Sequence, residues 1–210
     1  LRPAHAGRGQ RPRRTRNHHI GSFSVLAALK GARRVLACEA WAENYEVLVM
    51  NCRSLPAVEC HHAAVWRSDL DDAVLTWSQA ANPQNTGGGT VIECASIGGE
   101  PISGEMRCAV RAIPFDDIVD RVGTIDVLKI DAEGSEFRIL LTSRKLDRVG
   151  TIVGECHALG GLAERMGIPG VPEWSIGRLR EHLERRGVDV AMRDKGPLGT
   201  FRAVRRHPLR

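Results

Sequence analysis

The sequence predicts an α/β protein with one main domain, built on a mostly parallel sheet with an antiparallel hairpin at its edge. Residues 125–141, IDVLKIDAEGSEFRILL, begin as a short apolar run and continue with helical spacing, which is typical of a buried parallel strand leading into a helix. Segments of strand and helix type alternate from residue 20 to residue 186. Residues 188–192 and 199–204 flank Asp194-Lys195-Gly196-Pro197, which indicates a closing hairpin.

Composition limits the class of protein. The 210 residues are 42% hydrophobic, enough for one substantial core. No apolar run approaches the roughly 18 residues that a membrane-spanning helix needs, so we expect a soluble protein without a membrane partner. The six cysteines show no CxxC pair and no zinc-ligand spacing with histidine. This pattern favours reduced thiols, a cytoplasmic location and no metal site.

Positive charge is concentrated at the N-terminus. Nine of the 30 basic residues and no acid lie in residues 1–38, so the rest of the chain holds 21 basic and 25 acidic residues. We expect residues 1–19 to be a basic tail, disordered or misassigned, ahead of a domain over residues 20–210. A basic arm can bind nucleic acid through phosphates, but no recognition motif accompanies it, which disfavours that partner.

The first half of the domain is expected to alternate helix and strand. A glycine turn at Gly21 opens a helix, and a strand over residues 34–38 ends on Glu39. A helix over residues 42–54 and a strand over residues 58–65 follow. An acid at a strand end, about 18 residues after a glycine turn, is the arrangement that binds ribose hydroxyls in nucleotide-binding folds.

The remaining elements are expected from shorter patterns. His61 and His62 are neighbours in a predicted strand, so their side chains point to opposite faces and cannot chelate one metal together. The other expected elements are strands over residues 73–77, 90–97, 108–113 and 151–157, a short helix between Pro114 and Gly123, and helices over residues 133–146 and 175–186.

Polar side chains end the two predicted strands of the second half. Asp131 ends the central apolar run and is expected to point into the crevice where open α/β sheets bind ligands. Glu133 and Glu136 are expected in the first turn of the helix, where acids offset the helix dipole, and a functional role for them is the open alternative. His157 faces the same crevice if the two strands are adjacent and parallel. Paired with Glu155 or Asp131 it can act as a general base near neutral pH, the alternative being a simple hydrogen bond.

Six motifs follow one another over about residues 20–160: IGSFSVLAA, VLACEAWAENYEVLVMN, NTGGGT, IPFDDI, IDVLKIDAEGSEFRILL and IVGECH. In this order they resemble the FkbM family of S-adenosylmethionine-dependent methyltransferases. The most specific of them is KIDAEGSE, preceded by a helix that contains Asp116-Asp117.

The resemblance implies a Rossmann-like class I methyltransferase fold with S-adenosyl-L-methionine as cofactor. The implied cofactor-binding residues are Gly21, Ser22 and Phe23 near the methionine end, Glu39 and Ala40 at the ribose, Asn44 on the following helix, Ala63 near the adenine, and Asp131 by the reacting methyl group. The family mainly methylates hydroxyl oxygens, so the implied partner is a small molecule such as a sugar or secondary metabolite. The reaction requires an aligned oxygen and removal of its proton, for which Asp131 or His157 can supply the base without a metal.

One part of the family pattern is missing. Members usually begin with a strand that ends in an acid, followed by a Gly-x-x-x-Gly-type turn, whereas residues 15–21 are TRNHHIG. The first strand is therefore expected to be missing or degenerate. The alternative function is accordingly an inactive relic or binding module of the same fold. A nicotinamide-dependent oxidoreductase is disfavoured because no GxGxxG motif follows a strand.

Overall fold

The α/β class is confirmed in the computed structural model, which describes residues 20–71, 73–79, 89–91, 106–157, 175–195, 198–207 and 209. The expected tail, residues 1–19, and residues 92–97 of an expected strand lie outside the described residues. The helices are α1 (Ser22–Leu29), α2 (Ala42–Cys52), α3 (Phe115–Val122), α4 (Glu136–Thr142) and α5 (Ile176–Glu184). The strands are β1 (Val35–Glu39), β2 (Val58–His62), β3 (Ala64–Trp66), β4 (Val74–Gln79), β5 (Met106–Pro114), β6 (Ile125–Ile130), β7 (Val149–His157), β8 (Val188–Lys195) and β9 (Leu198–Arg205).

The described strands form three sheets. β1 pairs in parallel with β2; β5 lies between β3, which is parallel to it, and β4, which is antiparallel. The third sheet has the order β6-β7-β9-β8, with β6 and β7 parallel and the last two pairings antiparallel. The closing hairpin is confirmed. The described ranges do not form the expected single, mostly parallel sheet. They contain as many antiparallel strand pairings as parallel ones.

β6 is less buried than its apolar sequence predicts. Val127 is 50% exposed, and the side chains of Asp126 and Lys129 are exposed as well. The reason is that β6 pairs with β7 on one side, while no described strand pairs with its other edge. β1 likewise pairs with β2 alone among the described strands. Among the described strands, β1 and β6, which lead to the predicted site acids Glu39 and Asp131, therefore each have one unpaired edge.

The strand expected over residues 58–65 is split. The strand is interrupted at Ala63, whose amide donates a hydrogen bond to the Glu39 carbonyl oxygen at 3.0 Å. The chain then leaves β2, and Ala64 pairs with Ala112 of β5 in a different sheet. A long-range pairing thus decides where this strand ends.

Helix α4 is shorter than the expected helix over residues 133–146. Glu133 has φ 45° and Gly134 has φ 97°, and these left-handed conformations cannot continue into a right-handed helix. Glu133 therefore lies in a turn before the helix and not in its first turn, whereas Glu136 does occupy that turn. At the far end, Asp116 of α3 accepts hydrogen bonds from the Ser143 hydroxyl at 2.6 Å and the Arg144 amide at 3.1 Å, which fixes where α4 stops.

The largest core lies between the sheet β6-β7-β9-β8 and the helices packed on it, including α4 and α5. It buries chiefly aliphatic and aromatic side chains: Phe115, Val119, Ile130, Phe137, Leu140, Val149, Ile152, Leu179, Leu183 and Phe201. Ser175 caps α5 by accepting a hydrogen bond from the Arg178 amide. This core gives the carboxyl ends of β6 and β7 a rigid base.

Gly154 of β7 pairs with Ile130 of β6 and has no room for a side chain, since a Cβ at this position would lie 1.9 Å from the Ile130 carbonyl oxygen. We expect Gly154→Ala to lower the free energy of unfolding by about 1–3 kcal/mol, the usual cost of overpacking, in urea denaturation. The matched control is Gly177→Ala on α5, where the nearest atom would be 3.8 Å away. Because alanine favours helix, this control should keep or slightly raise the stability. Equal stability of the two variants would contradict the packing described.

Candidate functional site

The candidate site lies at the carboxyl ends of the parallel strands β6 and β7. Asp131 directly follows β6, and His157 is the last residue of β7. A carboxylate oxygen of Asp131, one of Glu136 and a ring nitrogen of His157 lie within 4.8 Å of one another. Asp131 and His157 thus lie in one place, as adjacent parallel strands require, although their catalytic roles stay predictions. Lys129 donates to Asp131 Oδ2 at 2.9 Å.

Glu136 organises this end of the sheet. Its side chain is fully buried, Oε1 accepts from the Ala132 amide at 2.7 Å, and Oε2 accepts from the Gly134 amide at 2.9 Å. Oε1 also lies 3.1 Å from Nδ1 of His157. One carboxylate therefore closes the turn over residues 131–135 and orients the histidine. We interpret the grouping as a hydrogen-bonded network, because amides and an imidazole already engage both oxygens of Glu136.

His157 is held between two carboxylates. Nδ1 faces Glu136, and Nε2 lies 3.4 Å from Oε2 of Glu133. Burial alone would lower the pKa of His157, but the hydrogen bond and charge of Glu136, with the charges of Glu133 and Asp131, raise it to about 9. The imidazole is therefore a cation at neutral pH. The protonated imidazole binds carboxylates. The role of His157 as a base stays a prediction.

Glu133 is a residue whose functional role the sequence left open. It is the one non-glycine residue with positive φ in the described part of the chain, and its carbonyl accepts from the Thr90 hydroxyl at 2.9 Å. Burial raises the pKa of its carboxyl to about 7, with the charges of Asp131, Glu136 and Glu155 adding to the rise and that of His157 opposing it. The motif Glu133-Gly134 was the available signal, since a glycine there permits a left-handed turn.

The predicted ribose-binding acid lies at the end of β1. Oε1 of Glu39 accepts from the Trp41 amide at 2.8 Å, and the Glu39 carbonyl accepts from the Ala63 amide. Burial raises the pKa of Glu39 to about 7, although the amides of Trp41 and Ala40 lower it in part. Three predicted cofactor residues, Glu39, Ala40 and Ala63, are thus brought together at one strand end.

A chain of contacts joins this strand end to the turn after β6. The ring of Trp41 stacks on Trp77 with centroids 4.1 Å apart. Ser78, the next residue, exchanges two backbone hydrogen bonds of 2.8 Å with Thr90, whose hydroxyl binds the carbonyl of Glu133. The sequence indicated none of the three linking residues Trp41, Trp77 and Thr90, because their pairing depends on distant segments.

The predicted methionine-end residues lie at the start of α1. Gly21 has φ 91°, and a Cβ there would lie 2.7 Å from Cδ1 of Leu48 on α2. Ser22 and Phe23 are exposed, and Asn44 is buried on α2. The Asn51 side chain donates to the Ile20 carbonyl at 2.9 Å. These contacts fix the start of α1 against α2.

The family model described as the methyltransferase FkbM domain matches residues 15–189. The chain belongs to this family. Membership supports methyltransferase activity in general, and the mixed α/β architecture is consistent with a methyltransferase fold. No curated protein matches this FkbM-domain chain. In the ranges described, no helix is long and apolar enough to cross a membrane.

The protonated state of His157 predicts a pH dependence of stability. Because its folded-state pKa of about 9 lies above the ordinary 6.5, its contribution is fully present below pH 6.5 and is lost as pH rises through 9. The free energy of unfolding, measured in urea between pH 6 and 9.5, should therefore fall more steeply with pH in the wild type than in His157→Gln. The exposed His207 provides the control His207→Gln, which should keep the wild-type slope. Identical slopes in all three proteins would contradict the paired, charged state of His157.

Proposed function

We propose that this FkbM-domain chain is an S-adenosyl-L-methionine-dependent methyltransferase that methylates a hydroxyl oxygen of a sugar or secondary metabolite. The observation that carries the proposal is the link through Trp41, Trp77 and Thr90, which ties the acid ending β1 to the turn after β6. Acidic side chains at two strand ends, held in fixed positions relative to each other, suit a ligand that carries both hydroxyls and a positive charge.

The residues at the two strand ends fit this cofactor. Glu39 is a half-buried carboxylate at a strand end, the type of group that accepts hydrogen bonds from a ribose diol. Asp131 and Glu133 place negative charge where a sulfonium would be stabilised. When bound, the cofactor would supply an activated methyl group. The chain would orient the acceptor oxygen, shield it from water and take up its proton.

Binding of the demethylated cofactor product tests the assignment of Glu39. We expect isothermal titration to show that Glu39→Ala weakens the affinity for S-adenosylhomocysteine by about 1–3 kcal/mol, the cost of a lost charged hydrogen bond. Because the pKa of Glu39 is about 7, wild-type affinity should also fall as pH drops below 7. Glu43→Ala, at an exposed position on α2, should bind like the wild type. An unchanged affinity in Glu39→Ala would remove Glu39 from the cofactor site.

A second variant tests the reacting end. Asp131→Asn keeps the size of the side chain and removes its charge beside Lys129. We expect a loss of methyl transfer of about tenfold or more, in line with the contribution of a positioned charged group, with circular dichroism unchanged. Asp126→Asn, on the exposed side of β6, is the matched control. Wild-type turnover in Asp131→Asn would exclude this carboxylate from the site.

The alternative is a chain that keeps the fold without activity. The observation that favours this alternative is that β1 and β6 each pair with only one other strand among those described. A strand followed by a glycine turn ahead of α1, as family members usually have, would extend the sheet at these edges. If the chain binds no cofactor, and a variant with an apolar strand and glycine turn in place of residues 1–19 does, the inactive alternative is supported. If neither protein binds the cofactor, the assignment of the cofactor is wrong.

A further inference from the structure

We propose that Glu133 is the catalytic residue that accepts the proton of the acceptor hydroxyl. The inference rests on the proposed function. It departs from the sequence, which favoured Asp131 or His157 for this role and placed Glu133 in a helical turn.

The neighbouring groups are engaged in other interactions. Both oxygens of Glu136 bind amides inside the fold, and Lys129 binds Oδ2 of Asp131. His157 already carries a proton at neutral pH because its pKa is about 9. Among the titratable groups of this described cluster, Glu133 alone combines a partly exposed carboxylate with a pKa of about 7. A base with a pKa near the working pH is the most effective proton acceptor.

The backbone holds Glu133 in a costly conformation. A φ of 45° is rare for residues with a Cβ, because the Cβ comes too close to the following carbonyl oxygen. The conformation is fixed from both sides, because Glu136 binds the amides of Ala132 and Gly134 and Thr90 binds the Glu133 carbonyl. Such strain is typical of positions that serve function at the expense of stability.

The bonds, electrons and proton of the proposed step balance. The acceptor oxygen forms a bond to the methyl carbon while the carbon–sulfur bond breaks and its electron pair returns to sulfur. The hydroxyl proton passes to the Glu133 carboxylate and from there to solvent. His157, 3.4 Å away and positively charged, favours the ionised form of Glu133 that must be regenerated. Burial opposes this ionisation most, and the charges of Asp131, Glu136 and Glu155 oppose it as well.

Proton release on binding provides a test that does not require the acceptor. A sulfonium beside Glu133 would lower the pKa of its carboxyl, so binding of S-adenosylmethionine at pH 7 should release up to about half a proton from this group. S-adenosylhomocysteine lacks the positive sulfur, so subtracting its proton release removes any contribution from Glu39. The release is measured by titration calorimetry in buffers of different ionisation enthalpy.

We expect the difference between the two ligands to be present in the wild type and in the control Asp126→Asn, and to vanish in Glu133→Gln. Glu133→Gly provides a second variant. It should unfold at an equal or higher urea concentration than the wild type, since glycine adopts this φ without strain, yet it should also lose the proton release.

Each result of these titrations supports or overturns the role of Glu133. Binding of S-adenosylmethionine without differential proton release in the wild type, or with release that persists in Glu133→Gln, would overturn the role of Glu133 and leave the proposed function standing. Absence of binding by both ligands would overturn the proposed function and the role of Glu133 with it. With an acceptor in hand and S-adenosylmethionine saturating at every pH, Glu133→Gln should reduce methyl transfer at least tenfold and abolish its decline below pH 7.

Discussion

The buried carboxylate of Glu136 is the interaction on which the candidate site depends. It lies under the turn between β6 and α4 and accepts hydrogen bonds from the Ala132 and Gly134 amides and from His157. A fully buried charge is tolerated only when it is paired and hydrogen-bonded, and here the partners are the elements that the site needs. The left-handed turn, the cationic imidazole and the partly buried position of Glu133 all follow from this one group.

A second constraint is the connection between the sheet that contains β1 and the sheet that contains β6. β1 ends on Glu39 and β6 is followed directly by Asp131, but within the described residues each strand has one neighbour only. The Trp41–Trp77 stack and the Thr90 hydrogen bond supply the connection that a continuous sheet would otherwise provide. The relation between the predicted cofactor end and the reacting end therefore depends on β4 and the residues paired with it.

Local patterns predicted the elements whose ends are set by local chemistry. The strand ending on Glu39, the helix that stops at Gly123 and the closing hairpin agree with the structure, because turn residues and periodicity specify them. The proximity of Asp131 and His157 followed from the rule that parallel strands end at one edge. The grouping of these two side chains could thus be predicted from the sequence, and their functional roles stay predictions.

The sequence could not predict features that depend on contacts outside the local segment. The break at Ala63 depends on a hydrogen bond to Glu39 and on pairing with β5. The shortened start of α4 depends on how Glu136 binds the preceding amides, which overrides the helical propensity of residues 133–135. The charge state of His157 depends on a carboxylate 21 positions earlier in the chain. Glu133-Gly134 permits the left-handed turn, but the break at Ala63 and the charge state of His157 have no signature in a short window of sequence.

The most direct test of this account is the pKa of His157 itself, measured by NMR titration of the imidazole in the unliganded chain. Pairing with Glu136 and Glu133 predicts a value of about 9. A value at or below the ordinary 6.5 would show that burial outweighs the carboxylates and would contradict the network from which the site is built.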